Sequence, residues 1–245
     1  MAQIKEGNTQ TNTETSSNDV VFDVEVHAAK APVACLILAH GAGAGKEHEF
    51  MQDMANQLVL NGISTVLFNF PYMQTIKATG KRRPPDKADK LMSHFTAVIE
   101  SCSKDNKVLH NLPVFIGGKS MGGRMATMVY ESVSNVKGAV ALGYPFHPPG
   151  KPEKTRTEHL LTATKPLLII QGERDTFGTK NEIESGEENY ALPSTIECVF
   201  LEDGDHSFKP RKASGKTQQE HIAKAAELTA AFITRNVTNY VQSNI

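Results

Sequence analysis

Apolar residues recur along the chain in two rhythms. From Val20 to His27 they alternate with polar ones (Val20, Phe22, Val24, Val26), the period-two pattern of an edge or half-exposed strand. Ala34-Cys35-Leu36-Ile37-Leu38-Ala39 is instead a short unbroken apolar run that stops at His40-Gly41. Such runs suit strands covered on both faces of a parallel sheet. The stretches 63–70, 114–116, 136–142, 167–170 and 196–201 have the same character.

Helical spacing fills the intervals. Phe50, Met54 and Leu58 repeat every four residues, and Ala88, Leu91, Met92, Phe95, Val98, Ile99 and Cys102 form the clearest amphipathic stripe. Met121, Met125, Met128, Val129 and Val133 mark another helix. Ile222, Ala226, Phe232, Ile233, Val237 and Tyr240 mark the last one. Strand and helix in alternation predict an α/β fold, a doubly wound and mostly parallel sheet with helices on both faces. Right-handed crossovers then bring the C-terminal ends of the strands to one edge, where ligands bind in such sheets. Two stretches interrupt the rhythm and read as loops: Pro71 to Pro85, with KRRPP, and Pro145 to Thr164, with PFHPPGKPEKTR. Neither is long enough for a large lid domain.

Composition narrows the function more than the fold. The chain has 245 residues, 39% of them hydrophobic and 22% charged, which suits one soluble α/β domain over residues 19–245. Residues 1–18 are polar and rich in Thr, Asn and Ser, and are expected to be disordered. A net charge of −1 gives no basic field for nucleic acid or an anionic membrane, so the expected partner is a small-molecule substrate. The start lacks the pattern of a signal peptide, and no apolar run approaches the ~18 residues of a membrane span. A cytoplasmic protein is expected. Cys35, Cys102 and Cys198 are odd in number and widely spaced, which reads as buried thiols. Glu47-His48-Glu49 lacks the H-E-x-x-H spacing of a zinc site, and neither a metal nor a cofactor is expected.

The candidate chemistry begins at Gly117-Gly118-Lys119-Ser120-Met121-Gly122-Gly123, directly after the apolar run 114–116. The G-x-S-x-G pattern places a serine on a sharp strand-to-helix turn, where small neighbours let the hydroxyl rise above the sheet edge. The helix start behind it favours developing negative charge. A serine needs a base held by an acid, and in sheets of this type the chain order is Ser, then Asp or Glu, then His. Gln171-Gly172-Glu173-Arg174-Asp175 follows one strand and Glu202-Asp203-Gly204-Asp205-His206 follows another. Asp175 is the expected acid, with Glu173 its competitor, and His206 the expected base. The loop His40-Gly41-Ala42-Gly43-Ala44-Gly45 leaves the first buried strand. An acyl-transfer site draws two backbone N–H groups toward the developing oxyanion, one from Met121 and one from Ala42 or Gly43. His40 is read as a brace for that loop. Gly43, Arg82, Arg83, Arg124 and His147 are candidate substrate-binding residues. If Lys81, the three arginines and His147 face the cleft, a carboxylate- or phosphate-bearing substrate is favoured. The alternative is a solvated loop at 81–83 and a helix-packing ion pair at Arg124.

Together these motifs resemble the α/β-hydrolase fold without a large lid domain. More narrowly, the chain resembles the dienelactone-hydrolase-like group of small bacterial hydrolases, in the branch related to the hydrolase-like domain of a subunit of the NSL histone-acetyltransferase complex. AHGAGAG (39–45), FNFPY (68–72), KRRPP (81–85), GGKSMGGR (117–124), GYPFHPPGKP (143–152), QGERDTFG (171–178) and GDHSF (204–208) carry the likeness. The resemblance implies a triad at Ser120, Asp175 and His206, with Ala42 and Met121 as oxyanion donors. Dienelactone hydrolases proper use a cysteine where this chain has Ser120. The expected activity is therefore ester or thioester hydrolysis on a small or medium substrate. The competing expectation is a non-catalytic module of the same fold that binds or scaffolds.

Overall fold

The computed structural model describes residues 22–104, 111–185 and 190–242. The 1–18 segment and Val20 of the alternating pattern lie outside them. Seven strands form one sheet: β1 (Val24–His27), β2 (Ala34–Ala39), β3 (Ile63–Phe68), β4 (Val114–Lys119), β5 (Val136–Leu142), β6 (Leu167–Gly172) and β7 (Ile196–Leu201). Their order is β1-β3-β2-β4-β5-β6-β7. β1 pairs antiparallel with β3, and all other pairings are parallel.

Alternation along the central strands explains why unbroken apolar runs were needed. In β2, Cys35, Ile37 and Ala39 join one core layer, while Leu36 and Leu38 join the other. Successive side chains point to opposite faces of a strand, and here both faces are covered. The first layer contains Leu91, Phe95, Val98 and Ile99 of α3 (Ala88–Lys104) and Met125 and Val129 of α4 (Met121–Val129). The second contains Phe50, Met54 and Leu58 of α1 (Glu49–Leu60) and Ile222, Phe232 and Ile233 of α6 (Gln218–Gln242). Burying one such side chain contributes about 1.5–3 kcal/mol.

The parallel register places the ends of β2, β4, β6 and β7 on one edge of the sheet. Ala39 pairs with Gly118, and Gly172 pairs with Leu201. The loops that leave these strands carry the candidate residues.

Three expectations need correction. Pro71 to Pro85 is not all loop: Pro71–Thr79 is a helix, α2. Proline fits the first helical position, Tyr72 and Met73 are buried, and Gly80 ends the helix at φ 67°. The helix after Ser120 stops at Val129, short of Val133. β7 is the outermost strand, so Cys198, Val199 and Phe200 keep partial exposure instead of being covered on both faces. A short helix that the periodicity did not announce, α5 (Lys180–Ile183), follows β6 and starts in a Thr179/Glu182 capping box.

Candidate active site

Ser120 sits between the end of β4 and the start of α4 with φ 51° and ψ −115°. A non-glycine residue in this region is strained by about 1–3 kcal/mol and persists only where its surroundings enforce it. The enforcement is visible. The Ser120 amide donates to the Leu142 carbonyl at 2.9 Å, and the Ser120 carbonyl accepts from the Arg124 amide at 3.0 Å. The flanking glycines are required by contact. A Cβ on Gly118 would lie 2.4 Å from the Gly122 carbonyl carbon, and one on Gly122 would lie 2.5 Å from the Ala39 and His40 carbonyl oxygens.

The serine hydroxyl is 2.8 Å from His206 Nε2, and His206 Nδ1 is 2.8 Å from Asp175 Oδ2. Asp175 is fully buried. It accepts from the His206 Nδ1–H, which fixes the tautomer and leaves Nε2 to accept from the serine O–H. Its other oxygen accepts from the Phe177 amide at 2.8 Å. Gln171, also buried, donates through Nε2 to Asp175 Oδ2 at 2.9 Å and to the Gly178 carbonyl at 3.1 Å. Phe177 lies over the His206 ring with centroids 4.2 Å apart. The rival acid, Glu173, points elsewhere: it accepts from the Asp203 amide at 2.9 Å and pairs with Lys180 at 3.2 Å. Arg174 pairs with Asp203, not Asp175.

The loop after β2 is braced from behind. His40 Nδ1–H donates to the Gly41 carbonyl at 2.7 Å, and His40 Nε2 accepts from the Phe70 amide at 3.1 Å. Burial pushes this imidazole down to about 4, so it is neutral at physiological pH. The Tyr72 hydroxyl reaches the carbonyls of Gly41 and Ala42 at 3.1 and 3.0 Å. The Tyr72 hydroxyl thereby engages the carbonyl side of this loop. Neither the Ala42 nor the Met121 amide donates to a backbone acceptor among the described residues outside a helix or strand. Met121 is the first residue of α4, where an amide has no intrahelical acceptor.

Ser120 and His206 line a cavity of about 480 Å³. Gly41, Ala42, Gly43 and Ala44 form one wall, and Phe50, Met51 and Phe177 supply apolar surface. Of the proposed substrate contacts, only Gly43 lies there. Arg82 and Arg83 are exposed on the segment after α2, and Arg83 pairs with Asp86 at 3.2 Å. His147 is buried against the Pro148 carbonyl at 2.9 Å and faces Glu182. Arg124 faces Tyr144, Arg156 and His159, away from the cavity lining. The charge run at 81–83 belongs to a solvated face, which the sequence alone left undecided. Glu47-His48-Glu49 has structural partners: Glu47 binds Asn69 and Lys77, and His48 caps α1.

Sequence reasoning missed Gln171 and Lys119. Gln171 stands four residues before Asp175, at the end of a strand whose preceding residues read as apolar. Lys119 stands directly before the serine, lines the cavity, and is buried. Its position next to Ser120 was the available signal.

Residues 32–234 match the family described as Alpha/beta hydrolase domain. The chain belongs to that family. Known structures share its architecture across nearly their whole length. This α/β hydrolase is similar to a dienelactone hydrolase from Anabaena variabilis at 18% identity, with a TM-score of 0.67 over 90% of this chain and 94% of the other. Est1E from Butyrivibrio proteoclasticus, solved with ferulic acid bound, is 14% identical, with a TM-score of 0.63 over 89% and 96%. An α/β serine hydrolase homologue from Coxiella burnetii is 17% identical, with a TM-score of 0.62 over 84% and 90%. Among the described residues, no helix is long and apolar enough to cross a membrane.

Proposed function

We propose that this α/β hydrolase is a serine hydrolase of carboxylic esters or thioesters. One observation carries the reading: a continuous hydrogen-bonded chain, Ser120 Oγ to His206 to Asp175, opens into a cavity of about 480 Å³. Its members leave three different strands, and Ser120 holds the left-handed φ of 51° that the turn imposes.

In this mechanism His206 Nε2 takes the Ser120 proton as the serine oxygen bonds to the substrate carbonyl carbon. The carbonyl oxygen becomes an oxyanion held by the amides of Ala42 and Met121. Asp175 stabilises the imidazolium. Collapse of the intermediate breaks the bond to the alcohol or thiol, which leaves with the proton from His206. Water, deprotonated by His206, then cleaves the acyl-enzyme and returns Ser120. The small wall 41–44 and the flanking Phe50, Met51 and Phe177 suit a small or medium acyl group.

The likeness to the dienelactone-hydrolase group, and to the branch related to the NSL-complex subunit, is part of this proposal. With serine in place of cysteine, simple esters and thioesters are the favoured class over dienelactone. We place the enzyme in the cytoplasm with a small-molecule substrate as its partner. Turnover of p-nitrophenyl acetate and acyl-thioesters by the native chain, lost in Ser120→Ala, tests the reading; unchanged turnover in that variant rejects it.

A further inference from the structure

Lys119 is a cation where the proposed chemistry does not call for one. Its ammonium donates to the backbone carbonyl of His206 at 2.6 Å and lies 5.6 Å from the centre of the Phe50 ring. Gly143 locates it further. A Cβ built on Gly143 would lie 2.9 Å from Lys119 Nζ and 3.4 Å from His206 Nδ1. The ammonium and the imidazole nitrogen are therefore no more than 6.3 Å apart, the sum of those distances. Gly143 adopts φ 64°, and its missing side chain leaves the space in which the two groups approach.

We propose that Lys119 is a positioning residue that ties the His206 loop to the strand carrying the serine and holds a positive charge against the imidazole. The proposal rests on the serine-hydrolase reading. Two consequences follow from the geometry. The first is mechanical. Ser120 and His206 are 86 residues apart in the chain, and their side chains must meet at 2.8 Å. The Lys119 tether fixes the base loop to the residue next to the nucleophile, so any movement of one carries the other. Small displacements of a base from its nucleophile cost large factors in rate. The second is electrostatic. A cation within about 6 Å disfavours protonation of an imidazole, which opposes the effect of Asp175. The charged groups that bear on this pair are Asp175, which contacts the ring, and Asp205, whose charge also acts on Lys119. Burial pushes the lysine itself down to about 8, which makes its charge sensitive to mildly alkaline conditions.

Lys119→Met removes the charge and the donor, whereas Lys119→Gln removes the charge and keeps an N–H donor. The His206 imidazole is titrated by NMR in native protein and in both variants. In parallel, Ser120 labelling by a fluorophosphonate and kcat on p-nitrophenyl acetate are followed against pH. The expected result is an upward shift of the His206 midpoint in both variants, by about half a pH unit or more. The alkaline-ward move of the acid limb of kcat should match it. The loss in kcat should reach about tenfold in Lys119→Met and be smaller in Lys119→Gln, where a donor remains. A midpoint depends on the folded molecules alone, so partial unfolding of a variant does not imitate the shift. An unmoved His206 midpoint in both variants overturns the proposal, whatever happens to the rate. Absence of Ser120 labelling in native protein would instead reject the hydrolase reading, and the NMR titration keeps the two failures distinguishable.

Discussion

Replacing Asp175 by asparagine isolates the charge of the buried carboxylate from its shape. Asp175 Oδ2 accepts from His206 Nδ1–H at 2.8 Å and Gln171 Nε2–H at 2.9 Å, while Oδ1 accepts from the Phe177 amide at 2.8 Å. The carboxamide has one oxygen. Turned toward His206 and Gln171, it keeps two acceptor roles and sets its NH2 against the Phe177 N–H. Turned the other way, it opposes two donors. The first orientation is favoured, so the tautomer of His206 survives and stability falls by about 1–3 kcal/mol from one opposed buried donor. The lost charge costs more. Unit charges 2.8 Å apart attract by about 6 kcal/mol at an effective dielectric of about 20. That attraction is felt when the imidazolium forms. At 1.36 kcal/mol per factor of ten, kcat should fall by about four powers of ten. The assay is kcat and kcat/KM on p-nitrophenyl acetate at neutral pH, with urea unfolding to establish that the variant is folded. A folded Asp175→Asn protein within tenfold of native turnover would refute the role assigned to this carboxylate.

Two further outcomes follow from the frame around the site. Gly122→Ala would place a methyl group 2.5 Å from two backbone carbonyl oxygens, so a stability loss of about 1–3 kcal/mol is expected; an unchanged Tm in calorimetry would contradict that packing. His40 is neutral in the fold down to about 4 but titrates near 6.5 when unfolded, so protons bind the unfolded chain first. Its contribution is complete above pH 6.5 and is lost as pH falls toward 4, by about 3 kcal/mol in all. NMR titration of His40 should give a midpoint well below 6, and an ordinary midpoint would contradict its burial between Gly41 and Phe70.

The parts of this structure legible in the sequence are those where one physical demand dominates. β2 reads as a doubly covered strand because both faces are buried, and its unbroken apolar run has no competing explanation. Ser120 was legible because Gly118 and Gly122 are needed for contact reasons that no other residue satisfies. α2 was hidden because Pro71 is as compatible with a helix start as with a loop, and only the burial of Tyr72 and Met73 decides between them. Whether Arg82, Arg83, Arg124 and His147 face the cavity stayed open in the sequence because the direction of a long side chain depends on tertiary packing. Gln171 was invisible for a related reason: a polar side chain buried in a strand end declares its partners only when the loops after β5 and β6 have come together around it.

The central claim, that Ser120 is the nucleophile activated by His206, is tested most directly by locating the covalent adduct. Native protein is treated with a fluorophosphonate, digested, and mapped by mass spectrometry, beside Ser120→Ala and His206→Ala. The account predicts a single stoichiometric adduct on Ser120, absent from the first variant and formed at least about a hundredfold more slowly in the second. An adduct on another residue, equal labelling of the His206 variant, or no adduct on folded native protein would contradict it.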